Sequence, residues 1–188
     1  MRSFLGAPAP EIGPRLLGWV LTTTLEGAEV SVVITEVEAY TSSDPASHSY
    51  SGRTARNASM FGPPGTLYVY RSYGIHWCMN VVTGPPGEAS ALLLRAGVVR
   101  TGLGTAIRRR GRETHLSDGP GKLTQALGIT GAHDGLDLLD HTGPVVLSPG
   151  PPLDSTATPR IGISKAMDVP WRWVAVGPVL SSDSELDG

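Results

Sequence analysis

Apolar and polar positions alternate over residues 28–38, which predicts a strand with Val30, Val32, Ile34, Glu36, Glu38 and Tyr40 on one face. Residues 66–72, 76–83 and 89–99 read as three further strands. Ser72-Tyr73-Gly74-Ile75 predicts a hairpin between the first two, and Gly84-Pro85-Pro86-Gly87 marks the next turn. Helices are predicted over 14–20 behind Pro14, over 101–112, and from Pro120 to Leu127. The last has Ser117 or Asp118 near its start and Gly128 just past its end. Later strands are expected near 144–147 and 171–180. Residues 1–15 are rich in Pro and Gly and read as ordered only in part, so 1–12 and 181–188 are expected to be flexible ends of a single domain, 1–188. Residues 41–65 are rich in Ser, Gly, Asn and Pro, and so long a connection in a compact domain marks a functional loop. The order of elements predicts a mixed α/β (α+β) chain with a mostly antiparallel sheet and a few helices.

With 40% apolar and 17% charged residues, the 188-residue chain has the composition of a folded domain rather than a disordered one. One cysteine, Cys78, excludes an internal disulfide and a cysteine-based zinc site. No HExxH or comparable ligand spacing is present, so no metal is expected. No apolar run approaches the ~18 residues of a membrane span, and the N-terminus lacks a secretory pattern. A soluble, cytoplasmic protein is expected. The net charge of −2 hides a strong asymmetry. Residues 45–112 carry nine arginines against Glu88 alone, while both flanking segments are acidic. All five tyrosines lie within or beside that basic block. Arginine grips phosphate through a planar fork and stacks on bases, so the block reads either as a nucleic-acid surface or as a solvated face beside a tyrosine-rich core.

Chemistry is carried by few residues. Glu36 and Glu38, two apart on a strand, share a face at roughly 7 Å. They are either a site for general-base work or the end of a strand meeting solvent. Arg95 interrupts the apolar runs 91–94 and 96–99, which is costly unless an acid pairs with it. Glu36 and Glu38 are the natural partners, in a structural ion pair or around a catalytic water. Tyr73 stands at the hairpin tip, where turns prefer small polar residues. It either wedges into a base stack or folds back on the sheet. Gly119-Pro120-Gly121-Lys122 opens a helix, where free N–H groups and a lysine suit a phosphate. His48 is a lone loop histidine, and Cys78 sits within an apolar strand as core.

Taken together, the segments Glu36–Tyr40, Asp44-Pro45-Ala46-Ser47-His48, Gly52-Arg53-Thr54, Arg56-Asn57 and Met60-Phe61 resemble the alkyladenine (3-methyladenine) DNA glycosylase family in its short bacterial form. So do Gly65–Tyr70, Tyr73-Gly74, Cys78-Met79-Asn80, Leu93-Leu94-Arg95-Ala96 and Gly119–Leu123, and the likeness runs from about Leu16 to about Val176. The resemblance implies a curved, mostly antiparallel sheet or open barrel with flanking helices and a protruding hairpin. It implies a monofunctional enzyme that needs no cofactor or metal and excises alkylated, deaminated or etheno purines from double-stranded DNA. A monomer would act on DNA in the cytoplasm, nucleoid-associated when bound. By matching position, Glu38 is the implied general base and Arg95 helps hold the attacking water. The backbone carbonyl near Ile161 is a third water contact. Tyr40, His48 and Tyr70 surround the flipped base, and Asn80 crowds a guanine's exocyclic amine. Tyr73 fills the gap in the duplex, and Arg53, Arg56 and Lys122 are the implied DNA contacts. Ile75 and His76 depart from the methionine and aromatic of eukaryotic members, which bears on substrate range. Two other classes remain open: a non-catalytic nucleic-acid-binding module of the same fold, and a hydrolase of free nucleosides or small glycosides.

Overall fold

The computed structural model describes residues 1–179; the predicted flexible end at 181–188 lies outside them. In chain order the elements are α1 (Arg2–Leu5), α2 (Ala9–Leu16), β1 (Val20–Leu25), β2 (Ala28–Thr41), β3 (Leu67–Ser72), β4 (His76–Val82), β5 (Ser90–Thr101), α3 (Leu103–Arg110), α4 (Pro120–Leu127), β6 (Val145–Ser148), β7 (Ser155–Thr158) and β8 (Arg172–Ala175). All strand pairings are antiparallel, in the order β3-β4-β5-β2-β1-β6, and β8 joins β7 to β2. The sheet curls into a half-barrel with helices against it, so the fold is α+β.

The long strand β2 organises the sheet. One edge pairs with β5 along most of its length. The other edge pairs first with β1, at residues 28–33, and then with β8, at Glu36–Glu38. The handover coincides with register shifts between Ile34 and Glu36 and between Glu36 and Val37. Such a bulge reverses the parity of a strand. Val30, Val32 and Ile34 face the main core before it, and Val37 and Ala39 face that core after it. The single face predicted for Val30, Val32, Ile34, Glu38 and Tyr40 is therefore wrong. The bulge sends Glu38 and Tyr40 to the opposite side from the valines.

The same two-sidedness runs through the neighbouring strands. Leu67, Val69, Met79, Val81, Leu92 and Leu94 pack against helix residues such as Ile12, Leu16, Leu123 and Leu127. The alternate residues Tyr68, Val82 and Ala91 gather with Met60, and with Phe61 beside them, under the long loop. Strands buried on both faces read as nearly continuous apolar runs, which is why β3, β4 and β5 were found from the sequence with little error.

The N-terminal region differs from its prediction. Residues 1–15 are not partly ordered: α1 and α2 bury Leu5, Ala9 and Ile12 completely. The helix predicted over 14–20 lies earlier and contains Pro14, because β1 begins at Val20. Thr22-Thr23-Thr24 gave β1 no alternation to read, and β7, with no apolar stripe, was also missed. Gly13 lets α2 settle on β8. A Cβ there would stand 2.4 Å from ring carbons of Trp173, so Gly13→Val is expected to destabilise the fold by about 1–3 kcal/mol through overpacking. Thermal melting against wild type measures this, and an unchanged midpoint would mean that α2 does not seat against Trp173 as described.

Candidate active site

The side of the sheet turned away from the main core forms the floor of a cleft of about 460 Å³. β3 contributes Tyr68 and Tyr70, β4 contributes Cys78 and Asn80, and β5 contributes Leu93 and Arg95. Loop residues His48, Arg56 and Met60 close one side, and Ile161, Gly162 and Ile163 close another. Tyr73 and Pro120 stand at the edge. Every strand residue here follows the period-2 alternation, so one register fixes the whole floor.

Glu38 lies directly behind this cleft with no exposed surface. A buried carboxylate without partners is unstable by several kcal/mol, and Glu38 has three. Ile161 N–H donates to Oε1 at 2.7 Å. The Tyr40 hydroxyl and Arg95 Nη1 donate to Oε2 at 2.9 and 3.2 Å. All three donors belong to residues that line the cleft. Arg95 is itself held by Glu36, whose Oε1 accepts from Arg95 Nε at 2.8 Å and from Arg172 Nε at 2.6 Å. Burial alone weighs against the Arg95 charge, but Glu38 and Glu36 outweigh it and hold the guanidinium above the ordinary arginine value. The expected partnership of Arg95 with both glutamates is present, and Arg172 is a member that the sequence did not disclose.

Tyr40, Tyr68 and Tyr70 keep their protons. Burial, with the charge of Glu38 and the hydrogen bond to it, pushes Tyr40 far up, so its hydroxyl stays a donor. Burial raises Tyr68 to about 12 and Tyr70 further. Burial likewise pushes the Cys78 thiol up, so it stays protonated as part of the cleft wall. His48 Nδ1 lies 3.1 Å from the Tyr68 hydroxyl, and its ring meets Tyr70 edge to face at 4.5 Å. Burial, and then the charge of Arg56, lower its pKa, which favours the neutral imidazole.

The loop that carries His48 is fixed by Asn57. This buried amide accepts from Thr54 N–H at 2.6 Å and donates to the carbonyls of His48 and Gly52 at 2.9 and 3.0 Å. Residues 55–61 form a 3-10 turn within the segment read as loop. Asp44 and Arg160 form a fully buried ion pair at the other end of the loop. Asn57 and Asp44 stand within segments that carry the family resemblance, but neither they nor Arg160 received a role from the sequence. The signals that were available were an arginine among Pro, Gly and Ile and an asparagine near a turn, and many exposed residues share both.

The remaining predicted residues divide. Asn80 is buried in the floor and donates to the Tyr68 carbonyl at 3.1 Å. Ile161 reaches the site, and its N–H donates to Glu38, a bond the sequence did not lead us to expect. Tyr73 projects from the hairpin tip, 89% exposed, at φ +49° beside Gly74 at +69°. It does not fold back on the sheet. A bulky residue with positive φ is uncommon, and here both central residues of the turn require it. Arg56 lines the cleft and donates to the Arg71 carbonyl at 2.9 Å. Arg53 lies over Phe61, 5.9 Å from the ring centre, and is not among the residues lining the cleft. Lys122, on α4, is bound to Asp118 at 2.9 Å and does not line the cleft either. Among the described residues no group of three or more His, Cys, Asp or Glu could hold a metal ion, and no helix is long and apolar enough to cross a membrane.

The family profile described as methylpurine-DNA glycosylase matches residues 3–178. A Rhodopseudomonas palustris (strain BisB18) protein, by name a candidate 3-methyladenine DNA glycosylase, is 52% identical over 177 residues, covering 92% of this chain and 84% of its own. Similarly named proteins from Mycolicibacterium paratuberculosis and Burkholderia lata are 49% and 45% identical, covering 92% and 94% of this chain and 87% of their own.

A lowered histidine pKa has a consequence for stability. Between the folded and unfolded pKa values the unfolded chain binds more protons at His48, so its contribution is intact above the ordinary value of about 6.5 and is lost as pH falls below it. Thermal midpoints measured from pH 8 to pH 5 should therefore fall less for His48→Gln than for wild type. Parallel curves would show that His48 titrates like a solvent-exposed imidazole.

Proposed function

The chain belongs to the methylpurine-DNA glycosylase family, and we propose that it hydrolyses the N-glycosyl bond of 3-methyladenine and 7-methylguanine in duplex DNA, with deaminated and etheno purines as further substrates. The observation that carries this reading is a wholly buried carboxylate, Glu38, held by three donors behind a tyrosine-lined cleft. A volume of about 460 Å³ is in the range of small-molecule sites, ~300–1,000 Å³. A damaged base inside a duplex is beyond reach of such a cleft and has to be flipped out, at an expense of a few kcal/mol. Tyr73 at the exposed hairpin tip suits the place that the base leaves in the stack.

In the proposed reaction the sugar passes through an oxocarbenium-like transition state, as in glycoside hydrolysis generally. Water bonds to C1′ as the C1′–N bond breaks. Glu38 takes the water's proton, and the electron pair leaves with the purine. A cationic methylpurine departs neutral and needs no acid. The carboxylate also offsets the positive charge growing on the sugar. Arg95, fixed by Glu36, orients Glu38 and the water from the cleft side. Tyr40, His48 and Tyr70 form walls whose ring faces favour a cationic purine. Asn80, tied to the floor, disfavours the exocyclic amine of an undamaged guanine. The backbone at Ile161 completes the contacts to the base catalyst. Arg53, Arg56 and Lys122 hold phosphates, acting for one chain on one duplex in the cytoplasm.

Release of 3-methyladenine and 7-methylguanine from a methylated duplex tests this directly. Wild type is expected to release both, and Glu38→Gln to bind the duplex while losing release by at least ~100-fold, the scale of positioned acid–base catalysis. Binding without release by wild type would make the protein a nucleic-acid-binding module instead. Undiminished release by Glu38→Gln would overturn the assignment of the base. Tyr73→Ala is expected to keep the wild-type melting midpoint, because its side chain is exposed, and to bind an abasic-analogue duplex more weakly. Unchanged affinity would remove Tyr73 from the DNA contact.

A further inference from the structure

Arg160 is buried beside the cleft without lining it, and the pairing of Glu38 with the cleft residues does not require its charge. Its guanidinium is bidentate on Asp44, with side-chain exposures of 0% and 1%. Asp44 lies four residues before His48, near the start of the loop that closes one wall. Arg160 Nη1 also donates to the Ala39 carbonyl at 2.9 Å, on the strand position between Glu38 and Tyr40. Nη2 donates to Ala166 at 3.4 Å and so closes the loop 160–166 on itself. The guanidinium carbon stands 4.7 Å from the centre of the Tyr40 ring and 5.5 Å from that of Trp171. The next residue in the chain, Ile161, gives its N–H to Glu38 Oε1.

One side chain thus touches, or is bonded one residue away from, four parts of the site: the backbone beside Glu38, the Tyr40 ring, the anchor of the His48 loop, and the N–H on the carboxylate. A planar fork can do this where a point charge cannot. Two donors on one nitrogen serve Asp44 and Ala39 together, and the flat face remains free to lie on Tyr40.

We infer that Arg160 is a positioning residue for base excision: its fork on Asp44 and Ala39 sets the Tyr40 ring and presents the Ile161 N–H to Glu38. This rests on the reading of Glu38 as the base. Arg160 touches neither the purine nor the water and acts through Tyr40 and Ile161. The buried pair would be retained for the geometry it imposes, since a buried ion pair is by itself weak support for stability.

The test compares wild type, Arg160→Lys and a core variant, Leu21→Ala, whose buried side chain stands on β1 opposite Val32, on the other side of the β2 bulge from Glu38 and Tyr40. Single-turnover release from a methylated duplex is measured at a temperature chosen below the melting midpoint of each protein, with affinity for an abasic-analogue duplex alongside. Arg160→Lys is expected to slow release by ~10- to 100-fold, the scale of a small misplacement of reacting groups, with affinity within about 3-fold of wild type. Leu21→Ala should show lowered stability with unchanged release. If Arg160→Lys does not fold, Asp44→Asn/Arg160→Gln, which leaves no unpaired buried charge, gives the same readouts. Release matching that of Leu21→Ala would overturn the inference and leave Arg160 a structural tie. Absence of release by wild type would instead overturn the glycosylase reading.

Discussion

A carboxylate with no exposed surface has to be matched by donors that cannot drift away, and Glu38 is that carboxylate. Its needs explain much of the surrounding architecture. Arg95 answers its charge, and Glu36 and Arg172 keep Arg95 from turning toward solvent. Tyr40 and Ile161 supply the remaining bonds. Each partner arrives from a different part of the chain: β5, β8, β2 itself, and the loop before β8. An error in any one pairing would leave charge uncompensated, which costs several kcal/mol. The ion-pair network therefore specifies the arrangement of these strands as much as it stabilises it.

The fold meets that demand through the bulge in β2. A strand without it would keep Glu38 and Tyr40 on the side of Val30, Val32 and Ile34, inside the apolar core. The register shifts at Glu36 separate the two chemistries of one strand. They also mark where β2 exchanges β1 for β8, so Arg172 comes into register with Glu38 while its guanidinium reaches Glu36. The mixture of polar and apolar residues in the cleft follows from the same alternation on β3, β4 and β5. Tyr68, Tyr70, Cys78, Asn80 and Arg95 take the positions between core residues.

The floor of the cleft is rigid and its rim differs. Buried bonds hold Asn80, Tyr40 and the His48 loop. Tyr73 and Ile161 expose large apolar surfaces at the hairpin tip and at the loop before β8. The proposed reaction, on a purine drawn out of a duplex, calls for both properties. Preorganised polar groups belong where charge develops in the reaction, and exposed wedges belong where DNA arrives.

The sequence by itself determined the alternation of β3, β4 and β5, the extent of α4, the hairpin at Tyr73-Gly74, and the pairing of Arg95 with Glu36 and Glu38. These rest on local rules: the period of a strand, the punctuation of a helix, and the intolerance of a buried charge for solitude. Tertiary structure decided which face Glu38 occupies, because a bulge leaves no mark in an alternating pattern. It brought Arg172 to Glu36 and Arg160 to Asp44 across more than a hundred residues. It also drew residues 1–16 into the core, where Leu5 and Ile12 are covered by strands that no short window contains. Such contacts depend on chain closure over long separations, and that closure is a property of the folded sheet as a whole.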